Sequence, residues 1–445
     1  MRILLASIIF VLGGISVASS APKLNVKVVN DFSIQVAGTY TLSPKPIVIK
    51  KQVIAVDSPT FVKERNEEYA GLPGYNPAGA FWNQGGRFRS IDNTMTGAKG
   101  TLVADSVVVK GDKEGKKIFV KDKDYGVAAE WGFFGRLAEG SSIDPAQTVY
   151  VDYDHYLFRI DTVAVNSLGK LVYYKGEPAI QLPVPPTLPK KTYPVVNIFT
   201  RKAATQLTDE NLYVISELKF PQPKGASVAS KLLPKTWAKI QNHEPLKILA
   251  WGDSVTAGGS VTDYDTFVWQ KVFYKDLCAK FPDAKITLDT TAWGGRGTAS
   301  FLQTPIGQEF NIKEHVLDKK PDLVVMEFVN DTYPGGDPVG TGANYKQIKD
   351  MFDAQGIEWI IMTPAFTWFD SNTYGEKYKA SDRWYDKFAK EFAAANKGVA
   401  VADASIRWEH LQYQGIPFCT LNVNGINHPN NAGHKLLADS VTCLF

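Results

Sequence analysis

From residue 245 onward, short apolar runs alternate with segments of helical periodicity, and this alternation limits the possible folds more than any other feature. The apolar runs lie at 246–251, 285–289, 322–329, 358–362 and 399–401. Apolar side chains at helical spacing occupy 268–281, 345–355, 380–396 and 431–441, and Gly356 and Gly398 are typical helix stops. This pattern, over about two hundred residues, predicts an α/β domain at 245–445 in which a parallel sheet carries helices on both faces.

Four polar or glycine-rich motifs fall at or near the ends of the predicted strands, or in the last loop. They are Gly252-Asp253-Ser254, the turn from Ala292 to Thr298, Phe328-Val329-Asn330-Asp331, and the segment from Asn427 to His434. Open α/β sheets bind ligands at the carboxyl ends of their strands, so we expect the motifs to meet there. Taken alone, Gly252-Asp253-Ser254 is also compatible with an Asp/Ser pair that caps the next helix.

Together the motifs contain the parts that acyl transfer needs: a nucleophile, a base that takes its proton, and donors where the oxyanion develops. Ser254 is the candidate nucleophile and His428 the candidate base. The candidate oxyanion donors are the backbone N–H of Ser254, the backbone N–H of Gly297 and the side-chain amide of Asn330. Each residue also has a plain structural explanation, as a turn, a cap or a satisfied polar group.

With these four blocks in this order, the last two hundred or so residues resemble the SGNH hydrolases, also called the GDSL esterase/lipase family. The resemblance implies a flavodoxin-like sheet, ester hydrolysis and the roles just given for Ser254, Gly297, Asn330 and His428. The chain departs from the family pattern at Ala292, where an Asn is usual, and at Val329, where a Gly is common.

A third departure concerns the residue that orients the histidine. The family usually has an Asp three residues before the His, whereas this chain has Gly425 there and Asn424 one residue earlier. An Asn can orient an imidazole but does not stabilise an imidazolium as a carboxylate does. Three hypotheses follow: a Ser–His dyad, a carboxylate from elsewhere such as Asp403 or Glu409, or loss of hydrolysis.

The preceding region, 22–244, is rich in β-branched and aromatic residues in short runs broken by turn residues. It predicts mostly antiparallel, sandwich-like β-structure. A proline-rich connection near 176–194 suggests two β modules, and a second proline-containing stretch near 219–244 suggests a linker. We assign no chemistry to this region, although its aromatic pieces, Tyr75 with Phe81-Trp82 and 131–136, are able to stack on sugars or simply pack.

Residues 1–21 have the pattern of a secretory signal peptide: Arg2, an apolar run at 3–17 and small residues at 18–21. No Cys stands directly after the predicted cleavage site, which argues against a lipoprotein anchor, and no later apolar stretch has spanning length, so we predict a secreted or periplasmic protein without a membrane segment. Cys419 and Cys443 are close enough in sequence to bridge, which would leave Cys278 as an unpaired thiol. The net charge of +3 gives no argument for nucleic acid.

Export and the aromatic-rich β region favour an O-acetyl group on an extracellular carbohydrate as the substrate. Trp293, Arg296, Trp368 and Phe369 lie on predicted loops near the site and are candidates for lining a sugar pocket, or for ordinary packing. Alternatives are a short-chain acyl or lipid esterase, a glycan O-acetyltransferase, and a non-catalytic glycan-binding protein. The six histidines are scattered, so we predict no metal and no other cofactor.

Overall fold

The computed structural model describes residues 23–93, 95–201, 204–222, 226–332, 338–368 and 377–445. The predicted signal peptide at 1–21 and Phe369 lie outside the described residues.

The first part of the chain forms antiparallel sheets, as its alternating pattern predicts. Its strands are β1 (Lys23–Asn30), β2 (Ser33–Tyr40), β3 (Ile47–Ala55), β4 (Thr60–Ala70), β5 (Gly86–Arg87), β6 (Val108–Lys110), β7 (Tyr125–Ala128), β8 (Phe133–Arg136), β9 (Thr148–Leu157), β10 (Arg159–Asn166), β11 (Leu171–Tyr174), β12 (Thr192–Thr200) and β13 (Leu212–Val214). The sheets β1-β2-β3 and β11-β10-β12-β13 share one buried core that includes Val36 and Val163. Two sheets over one core make this part sandwich-like.

A second set of strands, β4 to β9, comes between β3 and β10 in the sequence and forms its own sheets. The sheets β4-β9-β6 and β5-β8-β7 enclose a separate core that includes Phe88, Phe134 and Val151. The proline-rich segment 176–194 does not join the two sets of strands. It connects β11 with β12, which flank β10 in one sheet, so it lies within the sandwich.

The C-terminal part holds a five-stranded parallel sheet in the order β15-β14-β16-β17-β18. The strands are β14 (Pro245–Gly252), β15 (Lys285–Ala292), β16 (Leu323–Glu327), β17 (Glu358–Met362) and β18 (Val399–Ala402). Sequential strands thus occupy the order 2-1-3-4-5, which is the flavodoxin-like arrangement. Buried apolar clusters cover both faces of the sheet, and the predicted fold class is confirmed.

Helices pack on both sides of this sheet. They are α1 (Ala229–Leu232), α2 (Pro234–Gln241), α3 (Tyr264–Phe267), α4 (Trp269–Lys280), α5 (Thr298–Gln303), α6 (Pro338–Gln355), α7 (Trp384–Ala395), α8 (Ala404–Leu411) and α9 (Asn431–Thr442).

The stretch near 219–244 differs from the linker that the prolines suggest. Ala229, Leu233 and Ile240 of α1 and α2 are buried in the core of the parallel sheet. The Glu358 carboxylate accepts hydrogen bonds from the backbone N–H groups of Lys235 (3.0 Å) and Thr236 (2.7 Å) at the start of α2. A carboxylate on a helix N-terminus satisfies donors that have no partner within the helix. This part of the stretch therefore belongs to the C-terminal domain.

No disulfide joins Cys278, Cys419 and Cys443, so the bridge that the spacing of Cys419 and Cys443 allows is not formed. Within the ranges that the structure describes, no helix combines the length and the apolar character needed to cross a bilayer.

Candidate active site

Ser254 sits on a tight turn just after β14, at the carboxyl edge of the parallel sheet. The Asp253 carboxylate accepts the backbone N–H of Val255 (3.0 Å), and the Asp253 carbonyl accepts that of Ala257 (2.9 Å). Gly252 is required here because a Cβ at this position would lie 2.3 Å from the backbone oxygen of Glu327. The turn therefore holds the serine above the sheet by contacts that leave its hydroxyl exposed to the other motifs.

The structure brings Ser254 and His428 together from opposite ends of the C-terminal domain. The Oγ of Ser254 lies 2.8 Å from Nε2 of His428, which stands three residues before Asn431, the first residue of α9. The imidazole is only 9% exposed. A hydroxyl within hydrogen-bond distance of a buried imidazole is the arrangement that nucleophilic catalysis requires.

Asn424 faces the other nitrogen of the imidazole. Its Nδ2 lies 3.0 Å from Nδ1 of His428 and donates a second hydrogen bond to Oδ1 of Asn427 (3.1 Å). Its Oδ1 accepts three backbone N–H groups, those of Ile426, Asn427 and His428, each at 3.0 Å. Of the three residues considered for orienting the histidine, Asn424 is the one in contact with it.

The two carboxylates considered for the same role are engaged elsewhere. Asp403 caps α8 through the N–H of Ile406 (3.2 Å) and forms an ion pair with Lys390 (2.6 Å). Glu409 accepts the N–H of Ala380 (2.8 Å). In the part of the chain that the structure describes, neither carboxylate contacts the imidazole.

Asn330 reaches the site, but its side-chain amide is already engaged. Its Nδ2 donates to Oδ2 of Asp253 (2.8 Å) and to the carbonyl of Arg296 (3.1 Å). Its backbone N–H also donates to Oδ2 of Asp253 (3.0 Å). As an oxyanion donor, Asn330 would first have to release the Arg296 carbonyl.

The glycine-rich turn contributes Gly294 and Gly295 to the cavity, rather than the predicted Gly297. A Cβ at Gly294 would lie 3.6 Å from Cβ of Ser254, so this glycine keeps the space beside the nucleophile open. The N–H of Gly297 points to Oγ of Ser300 at 3.5 Å. A Cβ at Gly297 would meet Oδ1 of Asp331 at 2.3 Å, so the need for glycine there comes from packing.

Asp331 was not among the predicted site residues, yet it fixes the glycine-rich turn. Its two carboxylate oxygens accept the backbone N–H and the hydroxyl of Thr298, each at 2.9 Å, at the start of α5. Burial raises the pKa of Asp331 to about 6. The sequence feature that could have identified Asp331 is its position next to Asn330.

Two more buried carboxyl groups lie under the serine turn. Burial raises the pKa of Asp253 to about 7. Burial, together with the neighbouring Asp253, holds the pKa of Glu327 well above its usual range. Glu327 accepts the hydroxyl of Thr256 at 3.1 Å. Asp253 and Glu327 stabilise the turn through these hydrogen bonds, and neither lines the cavity.

The cavity above Ser254 has a volume of about 500 Å³, which lies in the range of small-molecule sites. It is lined by residues of both halves of the chain: Phe81, Trp82, Met95, Ser254, Gly294, Gly295, Asn330, Asn424, Ile426, Asn427 and His428. We call the three residues of the N-terminal half, Phe81, Trp82 and Met95, the aromatic wall. Sequence reasoning singled out Phe81-Trp82 as an aromatic piece but assigned it no role in the site.

The three aromatic or basic candidates from the C-terminal loops take packing positions instead. Trp293 packs against Phe301 and His315, with ring centroids 5.9 and 4.9 Å apart. The Arg296 guanidinium lies over the Phe310 ring. Trp368 supports the aromatic wall from behind, at 5.5 Å from the Phe81 ring.

Residues 250–436 match the model of the GDSL-like Lipase/Acylhydrolase family. The C-terminal part of the chain is a GDSL-like lipase/acylhydrolase domain. Among curated proteins, none matches the chain.

The hydrolase domain is similar to several solved esterase structures. An acetyl xylan esterase is 20% identical with a TM-score of 0.36, covering 44% of this chain and 98% of that protein. An acetylxylan esterase from Geobacillus stearothermophilus is 19% identical with a TM-score of 0.36, covering 44% and 92%. A two-domain esterase active on acetylated mannans is 20% identical with a TM-score of 0.37, and the match spans 47% of this chain and about half of that one, 51%.

The environment of His428 predicts how hydrolysis by this domain depends on pH. Burial lowers the pKa of the imidazole to about 4. A histidine acts as a base only when it is unprotonated, so kcat/KM is expected to stay constant as the pH falls from 7 to about 5 and to decline only near pH 4. Initial rates with p-nitrophenyl acetate between pH 3.5 and 7, with enzyme stability checked at each pH, would measure this. A decline centred near pH 6.5 would contradict the effect of burial.

Proposed function

We propose that this protein is a secreted serine esterase that removes O-acetyl groups from an extracellular carbohydrate through an acyl-enzyme on Ser254. The observation that carries the proposal is the 2.8 Å contact between Oγ of Ser254 and Nε2 of His428 at the base of an open cavity. Membership of residues 250–436 in an acylhydrolase family supports the reaction class. Export rests on the pattern of residues 1–21.

In the first half-reaction, Oγ of Ser254 attacks the acetyl carbonyl carbon while its proton passes to Nε2 of His428. The carbonyl oxygen becomes the oxyanion, beside the backbone N–H of Ser254, which has no acceptor among the described residues. The Asn330 hydrogen now bound to the Arg296 carbonyl at 3.1 Å can turn toward the same oxygen. The C–O bond to the sugar then breaks, and His428 returns the proton to the leaving hydroxyl.

In the second half-reaction, water attacks the acetyl group on Ser254. His428 takes a proton from this water and returns it to Oγ, which releases acetate and restores the free serine.

The lining of the cavity supports a neutral sugar as the substrate. No residue of the described lining carries a charge at neutral pH, because burial also keeps His428 unprotonated. Trp82 lines the cavity and is 45% exposed, and an indole ring is suited to pack on the apolar face of a pyranose. The small Gly294 and Gly295 beside Ser254 leave room for the acetyl group, and the total volume of about 500 Å³ exceeds what an acetyl group alone would fill.

The proposal is tested by acetate release from acetylated xylan and acetylated mannan, in buffer without an added acceptor. We expect release of acetate, and labelling by a fluorophosphonate at Ser254, identified by peptide mass spectrometry. Release only when a sugar acceptor is present would indicate a transferase. Neither release nor labelling by the folded protein would contradict the proposal.

A second candidate function, a non-catalytic glycan-binding protein on the same scaffold, is favoured by one observation. The residue that faces Nδ1 of His428 is an amide, not a carboxylate. Binding of unacetylated and acetylated oligosaccharides with equal affinity, without turnover, would support this candidate.

The position of Trp82 in the aromatic wall predicts a role in binding the sugar. Trp82→Ala is expected to raise KM for an acetylated oligosaccharide about tenfold, which corresponds to loss of one ring contact of about 1.4 kcal/mol, with kcat nearly unchanged. Hydrolysis of p-nitrophenyl acetate should change much less, since a small ester does not need the wall. Steady-state kinetics on both substrates would measure the split.

The matched control is Phe61→Ala, which removes a ring of similar exposure (42%) on β4. It should leave both substrates unaffected. An equal loss on both substrates for Trp82→Ala would indicate a structural role for the ring.

A further inference from the structure

The orientation of the Asn424 side chain is determined by its surroundings. Oδ1 accepts three backbone N–H groups at 3.0 Å, and Nδ2 faces Nδ1 of His428, Oδ1 of Asn427 and, at 3.5 Å, Sδ of Met95. Exchanging the amide oxygen and nitrogen would place a donor against three donors and lose three hydrogen bonds. Asn424 is 1% exposed, so water does not replace what such an exchange would lose.

This orientation decides which nitrogen of the imidazole carries the proton. Nδ2 of Asn424 is a donor, so Nδ1 of His428 must accept and is therefore unprotonated. In a neutral imidazole the proton then resides on Nε2 and points to Oγ of Ser254, 2.8 Å away. A general base needs the opposite arrangement, with a lone pair on Nε2.

We propose that Asn424 is a positioning residue that holds His428 of the free enzyme in the Nε2–H tautomer, so that each turnover must first reverse this arrangement. The inference rests on the proposed function for its kinetic consequence, but not for the tautomer itself. It makes Asn424 a built-in restraint on the rate of hydrolysis. A substitution at the same position can remove this restraint, because only Nδ2 of Asn424 disfavours the tautomer that catalysis needs.

Asn424→Asp is the change that reverses the restraint. One carboxylate oxygen would keep the three backbone N–H groups, and the other would accept a proton from Nδ1 in place of the present Nδ2 contact. Nε2 would then be free to accept the proton of Ser254. The buried His434 of α9 interacts electrostatically with the ring, and because burial lowers the pKa of His434 to about 3 it is neutral near pH 7.

The tautomer is measured directly by long-range ¹H–¹⁵N correlation of the full-length protein labelled with ¹⁵N-histidine. The His428 signals are assigned by their loss in His428→Gln. Near pH 7 we expect the wild-type ring to be protonated at Nε2 and unprotonated at Nδ1. In Asn424→Asp we expect the proton on Nδ1 and none on Nε2. A wild-type ring protonated at Nδ1 would overturn the inference, and this measurement needs no variant at position 424.

Kinetics supply the second readout. Asn424→Asp is expected to raise kcat for p-nitrophenyl acetate by about tenfold or more, because replacing the carboxylate by an amide in other triads costs up to about 10⁴-fold. It should also move the acid limb of kcat/KM to higher pH, since a carboxylate at Nδ1 favours the imidazolium. Ser254→Ala combined with Asn424→Asp must abolish the gain.

The outcomes separate this inference from the proposed function. An unchanged rate and an unchanged pH limb in a folded, active Asn424→Asp protein would overturn the inference. A reversed tautomer in a protein that hydrolyses no ester would support the inference and contradict the proposed function.

Discussion

Ser254→Ala is expected to lower kcat for p-nitrophenyl acetate by about 10²-fold or more. Removing the nucleophile from a complete triad costs roughly 10⁶-fold, and an amide beside the histidine already forfeits up to about 10⁴ of this. The loss of rate should therefore be smaller than in an enzyme with a carboxylate beside the histidine. The only side-chain partner of the hydroxyl among the described residues is His428, so the fold should be unaffected.

Initial rates and fluorophosphonate labelling of Ser254→Ala would test this, with Ser381→Ala as the control because that serine is exposed and lies outside the cavity. Both the rate and the labelling should be lost only in the first variant. Undiminished hydrolysis by Ser254→Ala would contradict the acyl-enzyme mechanism.

Gly252→Ala is expected to destabilise the hydrolase domain by about 3 kcal/mol and to disrupt the serine turn. An added Cβ would lie 2.1 Å from Oγ1 of Thr256 and 2.3 Å from the backbone oxygen of Glu327. The threonine is itself held by Glu327 and by the indole N–H of Trp269, so neither neighbour can move freely. Activity should fall together with stability, because the turn that carries Ser254 has to shift.

Thermal unfolding followed by circular dichroism would measure the effect, with Gly259→Ala as the matched control. Gly259 lies in the same loop, and no atom lies within 4 Å of its added Cβ. A melting temperature for Gly252→Ala equal to that of Gly259→Ala would show that the turn has more space than the structure indicates.

The parallel sheet and the central pair of the site were predictable for physical reasons. Buried parallel strands are continuous apolar runs, and 358–362 was predicted with the bounds that the structure has. The carboxyl ends of such strands lie along one edge of the sheet, so Ser254 after β14 was bound to lie near the other motifs. The convergence of Ser254 and His428 follows from this topology together with the start of α9.

What could not be predicted depends on contacts between distant segments. The aromatic wall comes from two loops of the inserted β module, and no local pattern relates Phe81-Trp82 to a serine in the other half of the chain. The departure at Asn424 was visible in the sequence, but the orientation of its amide depends on three backbone N–H groups that only the folded loop brings together. The hydrogen bonds from Asn330 Nδ2 to Asp253 and to the Arg296 carbonyl likewise join segments that are distant in the sequence, so they could not be predicted from it.

Within the stretch 219–244, which the prolines suggest is a linker, residues 229–232 and 234–241 are helical instead, because proline also favours the first turn of a helix. Pro234 occupies the first position of α2, where its missing N–H costs nothing and its fixed φ favours the helix. Burial of Leu233 and Ile240 in the sheet core then outweighs the extended character that prolines suggest.

The division of the cavity between two cores has a consequence for how the protein can diversify. The nucleophile follows a strand of the parallel sheet and its histidine precedes α9, whereas Trp82 lies on a loop between strands that enclose a separate core. Substitutions in the loop around Trp82 can therefore alter which acetylated sugar is accepted without disturbing the serine turn. Selection can thus change substrate preference and chemical competence one at a time, and related chains should vary most in the loop that carries the wall.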